Sequence, residues 1–301
     1  MSHSIDTSDR AFEFERYRPR LFGIAYRMLG SVEDAKDIVQ EGYLRFHQAD
    51  AASIRSAEAW LVAVVTRLSI DRLRRASTER EVYVGEWLPE PVATDAASRT
   101  DRRAELASDL SMAFLIMLER LAPDERAAFL MHDVMDAGYD EIAGMLEKSE
   151  PACRQLVHRA RARLREHRTR FPVSAENRQQ LTERFLAALT SGDQAELLAL
   201  VAPGATWTSD GGGKVSATRR VVHGAERITR LLLGVERKWP GLRHVLASLN
   251  GEPAVVTYAG EQVVHATSFD TDGERFTAFY RVLNPDKLKN ITRDSAGAAP
   301  A

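Results

Sequence analysis

The chain has 301 residues, enough for two or three domains, and its hydrophobic content of 44% is ordinary for globular proteins. The formal net charge is −2, so any strongly basic surface must be local. A single cysteine, Cys153, excludes an internal disulfide and is typical of a reducing cytosol. No apolar run reaches the length of a membrane span, and the N-terminal sequence lacks the apolar segment of a signal peptide. We therefore expect a soluble, cytoplasmic protein that does not contact a membrane.

The N-terminal part of the chain is predicted to form three helices. Apolar residues spaced three and four apart from Phe14 to Met28 predict the first, in which Pro19 either kinks the helix or begins its main segment. The second buries Val32, Ala35, Val39, Tyr43 and Phe46. Its outer face is acidic and holds Glu33, Asp34, Asp37, Gln40 and Glu41. The acids of the first turn also suit a helix N-terminus, so solvation alone would explain them. After a loop at 49–56, the third helix, 57–75, buries Leu61, Val64, Val65 and Leu68 and ends in a basic stretch.

Residues 77–104 are polar, small and charged, which is typical of a linker. The linker contains one apolar motif: Trp87, Leu88, Pro89, Glu90 and Pro91. A bulky apolar pair in a flexible segment predicts a docking surface. The alternative is an aromatic side chain held on the nearest domain with no regulatory consequence.

Residues 105–170 are predicted to form a small helical domain that ends in a helix-turn-helix. Apolar spacing predicts one helix from Leu106 to Leu121, and Pro123 begins another that runs through Val134. Residues 147–149 form a tight turn, Ser149 caps the second helix of the motif, and Pro151 falls in its first turn. That helix is rich in arginine, which suits phosphates and base edges. The residues expected to contact duplex DNA are Ser149, Arg154, Gln155, His158, Arg159 and Arg161. A merely solvated basic helix is the second interpretation.

The C-terminal part, 174–290, is predicted to be an α+β domain with a curved antiparallel sheet wrapped on helices. Two helices, around 181–189 and 197–201, precede the sheet, and a third, 225–239, interrupts it. The predicted strands are 206–208, 219–222, 243–249, 254–258, 262–267 and 276–283. The tail, 291–301, is expected to be disordered.

Three residues of this domain are candidates for acid–base chemistry: Asp210, His223 and His265. The glycines after Asp210 lack the strand, Gly-rich turn and helix pattern of a phosphate loop. They are better interpreted as a tight, exposed connection that touches another domain. The two histidines are more often structural, so we interpret the domain as regulatory.

The sequence resembles a known family in its two helical parts. Residues 21–30, the acidic stretch 33–41, and the segments 59–61 and 71–74 resemble region 2 of extracytoplasmic-function sigma factors. Residues 121–163 resemble their region 4, although Pro151 is unexpected there. The C-terminal part resembles a SnoaL-like domain of the nuclear transport factor 2-like fold. Three short motifs match the subgroup with this fused extension: Trp87–Pro91, Asp210–Lys214 and Asn284–Leu288.

The resemblance implies a sigma factor that brings core RNA polymerase to the −10 and −35 elements of promoter DNA. Asp34, Asp37, Gln40 and Glu41 would then dock on a coiled coil of the largest polymerase subunit. The loop 49–56, with Ser53, would hold a flipped base of the −10 strand, and Asp71, Arg72 and Arg75 would lie against nearby DNA. The recognition helix would read the −35 duplex. A sigma factor of this type would use no cofactor and no bound metal and would not be an enzyme.

The resemblance also implies domain limits and a mode of control. The expected parts are region 2 at 8–76, a linker at 77–104, region 4 at 105–170, the SnoaL-like domain at 174–290 and the tail at 291–301. We expect the linker motif to dock near one of two loops, in place of control by a separate anti-sigma factor. The loop residues are Asp210, Gly211, Gly212, Gly213 and Lys214, and Asn284, Pro285, Asp286, Lys287 and Leu288.

Polymerase binding would require the two helical domains to separate, so the docked linker would set the balance between closed and open forms. An unknown small ligand of the C-terminal domain is left open. Two rival hypotheses remain: a one-component helix-turn-helix repressor or activator with a ligand-binding C-terminal domain, and a SnoaL-like enzyme fused to a DNA-binding module.

Overall fold

The structure, a computed structural model, describes residues 7–94, 110–165 and 173–291. The chain divides into two compact units. Within the described ranges, the first unit comprises residues 7–81 and 117–165, and the second comprises 82–94, 110–116 and 173–291. The predicted tail from 292 onward, and the linker from 95 to 104, lie outside the described residues.

The first unit begins with three helices: α1 Thr7–Leu29, α2 Val32–Gln48 and α3 Ala57–Glu81. A short 3-10 turn, Ala51–Ser53, lies between α2 and α3. Pro19 lies inside α1, so the helix does not begin there. Ser31 caps α2 by accepting a hydrogen bond from Asp34 N at 3.2 Å. The side chains of the predicted apolar stripes are buried with the exception of Tyr17 and Tyr43, which are half-buried.

The same unit contains the predicted helix-turn-helix. α4, Met112–Leu118, of which only 117–118 belong to this unit, leads into α5, Pro123–Phe129, which continues as a π-helical turn, Leu130–Val134. α6, Tyr139–Leu146, ends where Glu147 adopts a left-handed φ of 54°. α7, Glu150–Arg165, then begins with Ser149 Oγ accepting from Ala152 N at 3.4 Å. The predicted cap of the second helix is therefore confirmed.

The second unit is an α+β domain. Helices α8 Ala175–Ser191 and α9 Gln194–Leu200 precede strands β1 Val201–Asp210 and β2 Val222–His223. Helix α10 Ala225–Lys238 is followed by β3 Leu242–Leu249, β4 Glu252–Ala259, β5 Gln262–Thr271, β6 Phe276–Val282 and the short α11 Pro285–Leu288. Val201, predicted to lie in a helix, begins β1, and β2 is shorter than the strand predicted at 219–222.

The sheet is mixed, in the order β2-β1-β6-β5-β4-β3. Strands β3 to β6 form an antiparallel meander, and β1 pairs with β2 antiparallel. β1 and β6, however, run parallel, with Trp207 opposite Phe279. The prediction of an antiparallel sheet is wrong for this pair. The reason is that the α10 connection and the meander bring β6 back beside β1 in the same direction, and parallel neighbours need such a long connection.

The two faces of the sheet carry two separate apolar clusters, because successive side chains of a strand point to opposite faces. On the first face, strand residues pack with helices α8 to α10: Leu181, Phe185, Trp207, Ile228, Leu232, Val255 and Phe279. On the second face, strand residues pack with Leu88 of the linker and Leu288 of α11: Val245, Leu249, Val256, Tyr258, Ala266 and Val282. We call these the helix face and the linker face.

Candidate nucleic-acid interface and linker-docking site

Helix α7 presents a basic surface because its apolar residues all fall on one side. Cys153, Leu156, Val157, Ala160 and Leu164 recur at helical spacing and are buried. Burial also raises the pKa of the Cys153 thiol, so this cysteine is a packing residue. The six residues predicted to contact duplex DNA are all exposed: Ser149, Arg154, Gln155, His158, Arg159 and Arg161.

Two arginines of α7 are held in place by neighbouring groups of the motif. The Arg154 guanidinium lies 4.4 Å from the centroid of the Tyr139 ring and 3.2 Å from the Glu150 carboxylate. Arg161 donates two hydrogen bonds to Asp133, of 2.8 and 2.5 Å, and this pairing raises the pKa of Arg161. Such bidentate pairs fix the orientation of a guanidinium. Two guanidinium groups of the basic surface thus have partners within the motif.

Arg159 lies on a different side of α7, next to Glu125 of α5. The Glu125 carboxylate is buried, accepts from Ala122 N at 3.2 Å, and pairs with Arg159 at 3.3 Å and with Arg163. One buried acid thus caps the start of α5 and binds two arginines of α7. The structure places Arg159 away from Arg154 and Arg161, although the sequence grouped them.

The acidic face of α2 is only partly free. Asp37 and Gln40 are exposed, whereas Glu41 accepts from Arg45 at 2.8 Å. Asp34 accepts from Arg72 Nε of α3 at 2.8 Å, and both side chains are about three-quarters buried. The resemblance assigned Asp34 to polymerase and Arg72 to DNA, and the structure joins these two residues to each other.

The other residues expected near the −10 strand lie at exposed positions. Ser53 is in the 3-10 turn, where its Oγ donates to Asp50 O at 2.6 Å. Asp71 and Arg75 are exposed on α3, and Asp71 forms a 3.4 Å ion pair with Arg74. The turn and this part of α3 leave hydroxyl, carboxylate and guanidinium groups accessible to a ligand.

Within the first unit, the helices of 117–165 contact those of 7–81. The fully enclosed Arg126 side chain donates to Met28 O at 2.7 Å and to Glu119 at 2.7 Å, and Glu119 also binds Arg80. Two exposed ion pairs add to this contact: Arg67–Glu147 at 2.5 Å and Arg74–Asp124 at 2.9 Å. The parts predicted to read the −10 and −35 elements are therefore packed together.

In the second unit, the linker motif is docked on the linker face of the sheet. Leu88 is 2% exposed and belongs to the apolar cluster of that face. The linker extends along β3, the last strand of the sheet, where Ala93 forms an antiparallel bridge to Leu249. Asn250 donates to Val92 O at 2.7 Å and accepts from Val92 N at 3.1 Å. Side-chain packing and main-chain hydrogen bonds together hold residues 82–94, which we call the docked linker.

Asp210 organises this contact. Its side chain is fully buried and accepts four hydrogen bonds, two of which come from the docked linker: Tyr83 Oη at 2.6 Å and Leu88 N at 2.9 Å. The other donors are Gly212 N at 3.0 Å and Lys287 Nζ at 2.7 Å. Desolvation, followed by the hydrogen bond to Asp210, raises the pKa of Tyr83. A buried carboxylate with four donors is well satisfied, and losing it would leave all four donors without their acceptor.

The third motif completes the contact. Lys287 Nζ also donates to Leu88 O at 2.5 Å and lies 4.1 Å from the centroid of the Trp87 ring, a cation–π distance. Asn284 donates to Tyr83 Oη at 3.0 Å, and Glu90 accepts from Asn290 at 2.6 Å. Lys214 pairs with Asp286 at the surface, which lowers the pKa of Asp286.

The glycines of the second motif allow the loop to approach closely. Gly212 and Gly213 have φ of 60° and 70°. A Cβ on Gly212 would overlap Asn284, and one on Gly213 would press on Val84 of the docked linker. Glycine suits both positions because it adopts left-handed φ without cost and leaves room for neighbouring groups.

The three candidate acid–base residues do not meet. Asp210 lies on the linker face, His223 is exposed on β2, and His265 is buried on the helix face. The described ranges contain no group of three His, Cys, Asp or Glu side chains placed to hold a metal ion. In the same ranges, every helix is too short or too polar to span a membrane.

Comparison with known proteins accounts for both units. Three family models match along the chain: Sigma-70 region 2 at residues 14–79, Sigma-70, region 4 at 111–164, and SnoaL-like domain at 182–290. The chain is 38% identical to the ECF RNA polymerase sigma factor SigJ of Mycobacterium tuberculosis, over 96% of each protein. The chain belongs to the extracytoplasmic-function sigma factors.

Two further comparisons agree. A probable ECF RNA polymerase sigma factor of the same organism, SigI, is 30% identical over 93% of this chain and 95% of its own length. The crystal structure of the M. tuberculosis sigma factor SigJ matches with a TM-score of 0.76 and 34% identity, covering 93% of this chain and 98% of that one. This chain is thus an RNA polymerase sigma factor with a fused SnoaL-like domain, and neither rival hypothesis is favoured.

Sequence reasoning missed several residues of this sigma factor's contacts. Tyr83 and Asn250 hold the docked linker, and Arg126 joins the two helical parts. Arg281 is buried on the helix face of the sheet. For Arg281 the sequence did contain a signal: it lies two residues after Phe279 on a predicted strand, so both side chains point to the same, inward face. Tyr83, Asn250 and Arg126 gave no comparable signal.

Proposed function

We propose that this sigma factor directs core RNA polymerase to its promoters, and that its docked linker restrains the two helical parts until the linker is released. In this proposal the fused SnoaL-like domain, which holds the linker, restrains the sigma factor in place of a separate anti-sigma factor. The observation that carries the proposal is the four-donor Asp210 carboxylate, because half of its donors belong to the linker between the two helical parts.

The polymerase-binding role falls on the exposed part of α2. Asp37 and Gln40 offer an acidic, hydrogen-bonding surface beside a buried apolar stripe. Asp34 takes part once it separates from Arg72, its ion-pair partner on α3. The Asp34–Arg72 ion pair thus connects a proposed polymerase contact with a proposed DNA contact.

DNA binding falls on α7 and on the α3 region. The side of α7 that carries Arg154, His158 and Arg161 is suited to enter the major groove, where arginine side chains hydrogen-bond to guanine. On binding DNA, Arg154 and Arg161 would exchange their carboxylate partners, Glu150 and Asp133, for groups of the DNA. Arg159 and Arg163, on the Glu125 side, are better suited to the DNA backbone. Ser53, Asp71 and Arg75 remain the proposed contacts for the −10 strand.

The polar contacts between the two helical parts are individually weak enough to be broken. Arg67–Glu147 and Arg74–Asp124 are largely exposed, and exposed pairs contribute about 0–1 kcal/mol each. The hydrogen bond from buried Arg126 to Met28 O is stronger, about 1.5–3 kcal/mol for a charged donor. A restraint of a few kcal/mol from the docked linker is therefore of the right size to decide between closed and open forms.

The proposal is tested with Asp210→Ala, which removes the acceptor shared by the docked linker and the motif loops. Reconstituted transcription with core polymerase measures output, and small-angle scattering of the free protein measures expansion. We expect Asp210→Ala to expand the free protein and to change output without changing promoter preference. Glu274→Ala is the control, since it removes an exposed acid of the same domain that lies outside the three motifs. If Asp210→Ala has the scattering profile and the output of wild type, the restraint is rejected.

A further inference from the structure

The helix face of the sheet carries a row of buried polar side chains that no role of the sigma factor uses. Ser209, Arg281 and Thr267 are neighbours on β1, β6 and β5, and His265, Thr257 and His244 are neighbours on β5, β4 and β3. Ser209, Arg281 and Thr257 each lie two residues after an apolar residue of the helix face, namely Trp207, Phe279 and Val255, and therefore point to the same face. The other three are cross-strand partners of these residues and share that face. Five of the six residues are buried, and the His244 side chain is 4% exposed and contacts Glu236 of α10.

Arg281 is the charged member of this row. It is only 4% exposed. Its Nε donates to Thr267 Oγ1 at 3.1 Å, and its guanidinium lies 4.4 Å from the centroid of the Trp207 ring. Among the described residues it has no carboxylate partner, and its two Nη groups donate to no acceptor. Desolvation lowers the pKa of Arg281 to about 9, with Glu236 acting in the opposite direction.

Glu236 is already engaged by the neighbouring histidine. His244 Nε2 lies 3.0 Å from the Glu236 carboxylate, and His244 Nδ1 lies 2.8 Å from Thr257 Oγ1. A carboxylate accepts from an N–H, so His244 donates through Nε2, and Nδ1 is paired with the Thr257 hydroxyl. Both nitrogens of His244 are thus satisfied, and the row has no second acid for Arg281.

His265 is the opposite case. It is 4% exposed, and neither of its ring nitrogens has a hydrogen-bond partner. Burial, and then the charge of Arg281, lower the pKa of His265 well below its usual range, so the imidazole is neutral. A neutral imidazole offers one donor and one acceptor. Unpartnered donors and an acceptor therefore lie together on one buried surface.

This arrangement is costly for a purely structural core. A buried guanidinium without a carboxylate destabilises a fold, and apolar residues of similar size commonly fill such positions at no loss. The groups are also complementary to one kind of molecule. The planar guanidinium fork matches a carboxylate, while the imidazole can hydrogen-bond to a second polar atom. Trp207 and Phe279 supply an apolar surface for the remaining atoms.

We propose that the interior of the SnoaL-like domain is a binding site for a small organic monocarboxylate. Arg281 takes the carboxylate group through its Nη donors, and His265 hydrogen-bonds to a second polar atom of the ligand or to the same carboxylate. His244, fixed by Glu236 and Thr257, forms the polar wall beyond. The site lies on the face of the sheet opposite to the docked linker.

The test is calorimetric titration of the full-length protein with acetate, butyrate and benzoate, each matched by its amide. The amide has nearly the same shape but no charge. At least one carboxylate is expected to bind saturably with one site per chain, and its amide about a hundredfold more weakly. Arg281→Met is expected to lose the binding, and Arg275→Met, which removes an exposed arginine just before β6, is expected to keep it.

Thermal unfolding gives a second readout that does not need the ligand. Because Arg281 is unpaired, ligand-free Arg281→Met is expected to be as stable as wild type or more stable. An unfolded or strongly destabilised variant would show that the guanidinium is structural and would overturn the proposal. So would equal binding of carboxylate and amide, no binding by the whole series, or unchanged binding by Arg281→Met. The titration needs no polymerase, so its result is independent of the transcriptional proposal.

Discussion

Truncation of Leu88 measures how firmly the linker is docked. Leu88 is 2% exposed within the apolar cluster of the linker face, so Leu88→Ala removes buried methyl groups and leaves a cavity. Buried Leu-to-Ala changes cost about 2–5 kcal/mol, and the value falls when the site can collapse. A surface segment relaxes more easily than a core, so we expect about 2–3 kcal/mol here.

The loss is expected to appear as local opening. If the docked linker detaches while the sheet stays folded, the amides of Leu88 and Val92 become accessible without global unfolding. A decrease of 2–3 kcal/mol in the opening free energy accelerates their exchange about thirty- to more than a hundredfold. Hydrogen exchange followed by mass spectrometry or NMR measures this directly, and amides of the β4–β5 pair supply the internal reference.

Val82→Ala is the matched control, because Val82 starts the same segment but is 81% exposed. It should leave the exchange of Leu88 and Val92 unchanged. The reasoning fails if Leu88→Ala also leaves these amides as protected as in wild type. It fails equally if the whole SnoaL-like domain exchanges faster to the same degree, since the linker would then be an inseparable part of the domain.

Three further outcomes are expected. Asp37→Arg should weaken binding to core polymerase in a pull-down while circular dichroism stays unchanged, because Asp37 is exposed; unchanged binding would remove α2 from the docking surface. Arg154→Ala should cost roughly 1–3 kcal/mol and relax −35 sequence preference in footprinting, whereas Arg163→Ala should weaken all sequences alike. His265 has a depressed pKa in the folded protein, so the unfolded chain binds its proton first and stability should fall as pH drops below about 6.5. His265→Leu should flatten this part of the stability profile, and exposed His223→Leu should not.

The helix-turn-helix was predictable because its determinants are local. Helical spacing selects the buried side of α7, and Ser149 begins the helix through a hydrogen bond to a residue three positions later. Both follow from the order of the residues. The pairing of Glu125 with Arg159 and Arg163 was not predictable, because these contacts depend on how α5 packs across α7.

The SnoaL-like domain shows where sequence reasoning stops. The three motifs identified the docked linker and the loops it touches, because a tryptophan in a proline-flanked linker and three consecutive glycines are unusual at the surface. The face of each strand residue was harder to place. Asp210 and His265 were candidates for one pocket, but their positions along β1 and β5 direct them to opposite faces of the sheet. The parallel β1–β6 pair likewise depends on the path of the connection rather than on composition.

The docked linker also covers the open border of the sheet. β3 is the last strand in the sheet order, and an uncovered border strand offers free N–H and C=O groups to any other extended chain. The Ala93–Leu249 bridge and the Asn250 hydrogen bonds satisfy part of that border, and Leu88 seals the apolar surface beside it. Under the proposed restraint, release of the linker would therefore expose the β3 border and the apolar surface beside it when the sigma factor opens. The released form would need polymerase or another partner to shield it, and without one it would redock or self-associate.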